Sequence, residues 1–199
     1  MIYNLFSTPI FEQSITDDKF IRLINDKLIW CESNNLFKNN WMPGNDTTPT
    51  TYKHDNNIIK DDHYLKSFVI MSCGNYLSEL GLKYKNIELV DSWFNKQCKG
   101  QIVGHHRHRN PKVPRIVSGV FYVKAINDSK QGELTFISHN PYDEEFPCNI
   151  NNTQYNPEIG VKAVQNNMLF FPSNVTHKVT TNQTDEDRIV LSFNLEYNE

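Results

Sequence analysis

"RIVLSFNLE", residues 188–196, places an apolar side chain at every second position, with Val190 the one apolar residue between them. Successive side chains of a strand point to opposite faces, so Ile189, Leu191, Phe193 and Leu195 share one face. Arg188, Val190, Ser192 and Asn194 share the other. The first face is ready to pack under helices. The second would place a cation and two polar groups in a closed apolar interior, which is costly unless they have work to do there. A strand with one face for packing and one for a site implies a layered β fold built around it.

The same period of two extends backwards to about residue 86. Candidate strands cover 87–97, 116–125, 132–139, 161–165, 168–173 and 177–181, separated by Gly, Asn, Asp and Pro clusters. Before residue 86 the period is helical. In "DDKFIRLINDKLIW" (17–30), Phe20, Leu23, Ile24 and Ile29 stand near helical spacing, with Thr16 or Asp17 as the cap. In "DDHYLKSFVIMSCGNYLSELGL" (61–82), Leu65, Phe68, Val69, Ser72, Tyr76, Leu77 and Leu80 form a stripe, and Gly81 is the expected stop. The residues between are rich in turn formers, with room for a short strand. Two helices followed by many short strands predict a mainly β, antiparallel sandwich or barrel with the N-terminal helices packed on one outer face. The expected organisation is one domain over 1–199, with 1–85 as helical support and 86–199 as the jelly-roll core.

Composition narrows the function. The formal charge of −3 argues against a nucleic-acid binder, which would show a basic excess. Four cysteines, Cys31, Cys73, Cys98 and Cys148, lie far apart with no C-x-x-C pair, as expected of a reduced protein. No stretch approaches the roughly 18 to 20 apolar residues of a membrane span, and "MIYNLFSTPIFEQ" lacks the pattern of an export signal, so the expected location is cytoplasmic.

The chemistry is concentrated in "GHHRHRNPKVPR" (104–115). On an extended segment His106 and His108 project to one side, while His105 and Arg107 project to the other. A further histidine, His177, follows the apolar run and turn of "MLFFPSNVTH". Two histidines from one strand and a third from a distant strand end make a facial ligand set that leaves positions open for substrates and dioxygen.

"SWFNKQCKGQIVGHHRHRNPKVPRIVSGVFYVKA" followed by "NNMLFFPSNVTHKVTTNQTDEDRIVLSFNLE" resembles the 2-oxoglutarate and Fe(II) oxygenases of the double-stranded β-helix superfamily. The shared order is a Trp-x-Asn strand, a His-x-His segment, an S-G-V-x-Y strand, an F-P-S…H turn and an R…S-F-N strand. Even "LFSTPIF" resembles the family's N-terminus. The resemblance implies Fe(II) as cofactor, with 2-oxoglutarate and dioxygen as cosubstrates. His106 and His177 would bind iron, and Arg188 would hold the distal carboxylate of 2-oxoglutarate, a role suited to a planar fork that stays charged when buried. Tyr122, Ser118, Ser192 and Asn194 would be cosubstrate or substrate contacts, and Trp93 and Asn95 would line the same cavity. Relatives usually carry a His-x-Asp or His-x-Glu carboxylate where this chain has His108. Either His108 is the third ligand or a carboxylate such as Glu133 takes its place, and the spacing favours His108.

Two other readings compete. The same histidines resemble the two motifs of a three-histidine cupin dioxygenase, which would not need Arg188. A jelly roll can also be a binding module without catalysis. The sequence leaves the substrate open among peptide, metabolite, nucleobase and lipid, and leaves the oligomeric state open. Residues 138–160 are long and turn-rich enough for a lid. His54, His63 and His139 are expected at the surface, and Arg109, Lys112 and Arg115 in solvent or at the cavity mouth.

Overall fold

The computed structural model describes residues 7–39, 48–108, 117–126, 131–138 and 158–198. His139, Arg109, Lys112, Arg115, Cys148 and almost all of the expected lid lie outside the described residues.

Strand β1 (Phe11–Ser14) precedes helix α1 (Asp18–Ser33). Asp17 caps that helix by accepting from the Phe20 amide at 2.7 Å. Phe20, Ile24, Leu28 and Cys31 recur at i, i+4, i+8 and i+11 and are buried. Ile29, expected in that stripe, is 59% exposed. It is nine positions from Phe20, two and a half turns, and so falls on the opposite side. Short strands β2 (Lys38–Asn39) and β3 (Pro49–Thr50) lead to α2 (His63–Glu79). Asp62 caps α2 by accepting from the amides of Tyr64 and Leu65, both at 3.0 Å. Gly81, with φ +69°, takes the left-handed conformation that ends the helix.

The remaining strands are β4 (Asn86–Gln97), β5 (Val103–His106), β6 (Val117–Lys124), β7 (Leu134–Ile137), β8 (Glu158–Val161), β9 (Asn167–Pro172), β10 (His177–Val179) and β11 (Arg188–Asn198). They form two sheets, ordered β1-β9-β6-β11-β4-β3-β2 and β5-β10-β7-β8, with antiparallel strand pairs. β8 meets the expected 161–165 strand only at Val161, β1 was not foreseen as a strand, and β5, expected to carry both His106 and His108, ends at His106. β1 is a short edge strand that borrows its register from β9.

β11 lies inside the larger sheet between β4 and β6, and its two faces serve two cores. Ile189, Leu191, Phe193 and Leu195 pack with Phe94, Phe121 and Phe170 against both helices. Val190 packs on the other side with Tyr122, Phe136, Phe171 and Val179 between the sheets. β4 changes face along its length. Leu195 pairs with Leu89 but Asn194 pairs with Asp91, so Val90 is an extra residue, a bulge. Ile87 and Leu89 therefore face the helices, whereas Trp93 and Asn95, of the same parity, line the cavity between the sheets.

Candidate metal and cosubstrate site

β5 and β10 bring two histidines opposite each other. His106 and His177 are register partners with ring centroids 4.3 Å apart. His108 lies two residues beyond β5, where its amide donates to the Ser173 carbonyl at 2.9 Å and so holds the extended segment against the turn after β9. One ring nitrogen from each of His106, His108 and His177 lies within 4.8 Å of the others. Glu133, the alternative third member, is not in this group, and its carboxylate packs beside Gly160 of β8 instead. His105 and Arg107 are exposed at the cavity's edge, as the alternation predicts.

Each of the three rings is oriented by its Nδ1. That of His106 lies 2.8 Å from the Gly104 carbonyl and that of His177 lies 2.9 Å from the Val175 carbonyl. A carbonyl can only accept, so both rings carry the proton on Nδ1 and turn an unprotonated Nε2 outward. The Nδ1 of His108 lies 2.7 Å from Asn194 Oδ1. Burial, and then the neighbouring His106 and His108, push the His177 pKa well below its ordinary 6.5, so it stays neutral and fit to donate a lone pair.

The cavity beside these rings has a volume of about 170 Å³. Trp93 and Tyr52 form part of its wall, packed edge to face at 5.0 Å, and Trp93 also lies 5.8 Å from the His108 ring. Asn95 donates to Ser192 Oγ at 2.9 Å on the same wall. Arg188 reaches in from the end of β11 and is 2% exposed. Its guanidinium carbon lies 5.2 Å from the centroid of the Tyr122 ring, a cation–π arrangement. No carboxylate among the described residues pairs with it, its Nε has no hydrogen-bond partner, and neither has the Tyr122 hydroxyl. Burial presses the Arg188 pKa below its ordinary value, yet an arginine remains a cation. A buried cation with an orphaned donor fits an anionic ligand.

Three expected contacts are placed differently: Tyr122 is fully buried and packs its ring against Arg188 without lining the cavity. Ser118 and Asn194 do not line the cavity but stand behind His108, with Ser118 Oγ 3.0 Å from its Nδ1. Asp91, which the sequence reading did not single out, lies behind them and accepts from Asn194 Nδ2.

The sequence profile of the family described as "Putative 2OG-Fe(II) oxygenase" matches residues 91–194, just over half of the chain. The chain belongs to this 2OG-Fe(II) oxygenase family. Membership makes it an enzyme with Fe(II) as cofactor and 2-oxoglutarate as cosubstrate. A prolyl-4-hydroxylase from Pseudomonas putida superposes with a TM-score of 0.66 at 13% identity, covering 98% of this chain and 96% of its own. SnoK, a non-heme alpha-ketoglutarate-dependent carbocyclase from nogalamycin biosynthesis, gives 0.68 at 9% identity over 94% and 80%. HygX from Streptomyces hygroscopicus, solved with nickel and 2-oxoglutarate bound, gives 0.62 at 10% identity over 94% and 82%. At such identities these likenesses show the double-stranded β-helix fold alone. A search of curated proteins returns no match. Among the described residues of this oxygenase, no helix is long and apolar enough to cross a membrane.

Proposed function

We propose that this oxygenase hydroxylates its substrate at an iron held by His106, His108 and His177, with 2-oxoglutarate anchored by Arg188. The observation that carries this reading is the placement of Arg188. It is a buried cation with an orphaned Nε, and it opens on the same cavity as three imidazoles that turn their unsubstituted nitrogens together. A dicarboxylate matches both ends of that cavity, because a carboxylate meets a guanidinium in two parallel hydrogen bonds.

When bound, Fe(II) and 2-oxoglutarate supply the oxidising chemistry, in which dioxygen gives one oxygen atom to succinate, formed with loss of CO2, and the other to a substrate C–H. The chain's part is placement and exclusion of water. Arg188, steadied on the Tyr122 ring, fixes the far end of the cosubstrate. Ser192 and Asn95 offer polar contacts on the same wall, and Trp93 with Tyr52 presents an apolar surface to whatever enters beside the metal. A three-histidine site without a cosubstrate would have no use for a buried arginine, which sets the cupin reading aside.

Anaerobic addition of Fe(II) and 2-oxoglutarate should give the visible charge-transfer band of their chelate, and admitting air should give succinate. In Arg188→Met both signals should require roughly 10- to 150-fold more 2-oxoglutarate. A protein that yields neither band nor succinate would overturn the reading.

A further inference from the structure

We infer that Asp91 is a positioning residue that sets the tautomer of His108 through Asn194, so that the ring's Nε2 faces the metal. The inference rests on the reading of His108 as a ligand and explains how a histidine is held ready where relatives use a carboxylate.

The argument follows donors and acceptors. Asp91 is 2% exposed and stands in register with Asn194 across β4 and β11. Its carboxylate contacts one end of the Asn194 amide. The end placed against that carboxylate is the NH2 group, which donates to Asp91 Oδ1, so the amide oxygen faces the other way. There Asn194 Oδ1 meets His108 Nδ1 at 2.7 Å and the Ser118 hydroxyl at 2.6 Å. An amide oxygen also only accepts, so both neighbours must donate to it. His108 therefore carries its proton on Nδ1, and its Nε2 keeps the lone pair. The Ser118 hydroxyl also stands 2.9 Å from Ser173 Oγ and 3.0 Å from His108 Nδ1, and its one proton, given to the amide oxygen, leaves it only lone pairs to offer both.

The bulge at Val90 makes this possible. Without the extra residue, Asp91 would share the helix-facing side with Leu89 rather than the side of Asn194. The carboxylate that the first ring of ligands lacks is thus kept two hydrogen bonds behind it. There it polarises the imidazole and fixes its orientation, as such partners of metal-bound histidines do.

The test needs no turnover. In the metal-free protein, long-range 1H–15N NMR of the His108 ring, assigned by its loss in His108→Gln, should show the Nδ1–H tautomer. Asp91→Asn should give a mixture of tautomers and weaken Co(II) binding roughly 10- to 100-fold. The swap Asp91→Asn with Asn194→Asp restores the order of donors and acceptors, and should recover both the tautomer and the affinity. An Nε2–H tautomer in the unaltered protein would overturn the inference. So would a folded Asp91→Asn with unchanged tautomer and affinity, or a folded double variant no better than the single one. If Asp91→Asn does not fold, the unaltered protein's spectrum and the double variant decide. An error in the ligand set would show separately, as unchanged Co(II) affinity in His108→Gln, and would overturn the metal-facing part of the inference alone.

Discussion

His106 and His177 are direct register partners on adjacent antiparallel strands, and each donates its Nδ1 proton to the carbonyl two residues before it. The same local turn of the ring is thus built twice, once on each strand, and one ring nitrogen of each converges because the strands are paired. Removing either ring should leave the sheet intact but deprive a metal of a ligand. His177→Ala and His106→Ala should each bring 2-oxoglutarate-dependent succinate formation to background while far-ultraviolet circular dichroism is unchanged. Retained turnover in His177→Ala would remove that residue from the ligand set.

Arg188 trades stability for binding. A buried cation without an acidic partner costs desolvation that the Tyr122 ring offsets only in part. Arg188→Met should leave the metal-free protein as stable or more stable in thermal unfolding. It should also weaken 2-oxoglutarate by about 1.5–3 kcal/mol, roughly 10- to 150-fold, the value of a hydrogen bond to a charged group. Arg188→Lys should recover only part of that, since an ammonium cannot form the paired contact. Thermal shift with added 2-oxoglutarate and Co(II) reads both effects, because a ligand that binds only the folded state raises its melting temperature.

The depressed pKa of His177 gives stability a definite pH dependence. The folded state resists protonating this ring while the unfolded chain protonates it at the ordinary value of 6.5. Above that value both states are neutral and the group has no effect. As pH falls below it the unfolded state binds the proton and is favoured, by up to about 1.4 kcal/mol per pH unit, until the folded ring also titrates. Urea unfolding of the metal-free protein should therefore show stability falling from pH 7 to pH 5, with a shallower fall in His177→Gln. An identical slope in the two proteins would show that the ring titrates normally.

Much of this was legible before any coordinates. The alternation in Arg188–Glu196 assigned every residue to its correct face, because a central strand covered on both sides cannot shift by one residue without exposing its apolar set. The gathering of His106, His108 and His177 was readable from spacing and the order of motifs. Ser118 and Asn194 were found but misplaced, since shared strand parity says which side of the sheet a residue faces and not how deep it sits behind a ring. Asp91 was missed although it shares the parity of Trp93 and Asn95, because a shared face does not say that a carboxylate stands behind a histidine, and the apolar pattern of Ile87 and Leu89 puts it on the opposite side unless a bulge intervenes. The signal was present: the apolar positions pass from odd at Ile87 and Leu89 to even at Phe94. β1 was missed because four residues at a sheet edge, two half-buried and two exposed, carry almost no pattern.

Gly119 of the S-G-V stretch tests the helix-facing side of the same sheet. A Cβ built there would sit 2.7 Å from the Leu169 carbonyl oxygen and 2.8 Å from Phe193 Cζ, closer than atoms approach without displacement. Phe193 can tilt, but the Leu169 carbonyl belongs to the neighbouring strand β9 and cannot. Gly119→Ala should then cost about 1–3 kcal/mol by overpacking, at about 2–4 °C of melting temperature per kcal/mol for a chain of this size. Adding Phe193→Leu should recover part of the loss, so that the double variant is less destabilised than the sum of the singles. The affinity for Co(II) and 2-oxoglutarate should not change, because Gly119 faces the helices while Ser118 and Val120 face the site. A Gly119→Ala protein that melts normally would show that β6 and β9 can part at this point. One that melts normally yet loses 2-oxoglutarate affinity would show that the two faces of the sheet are coupled.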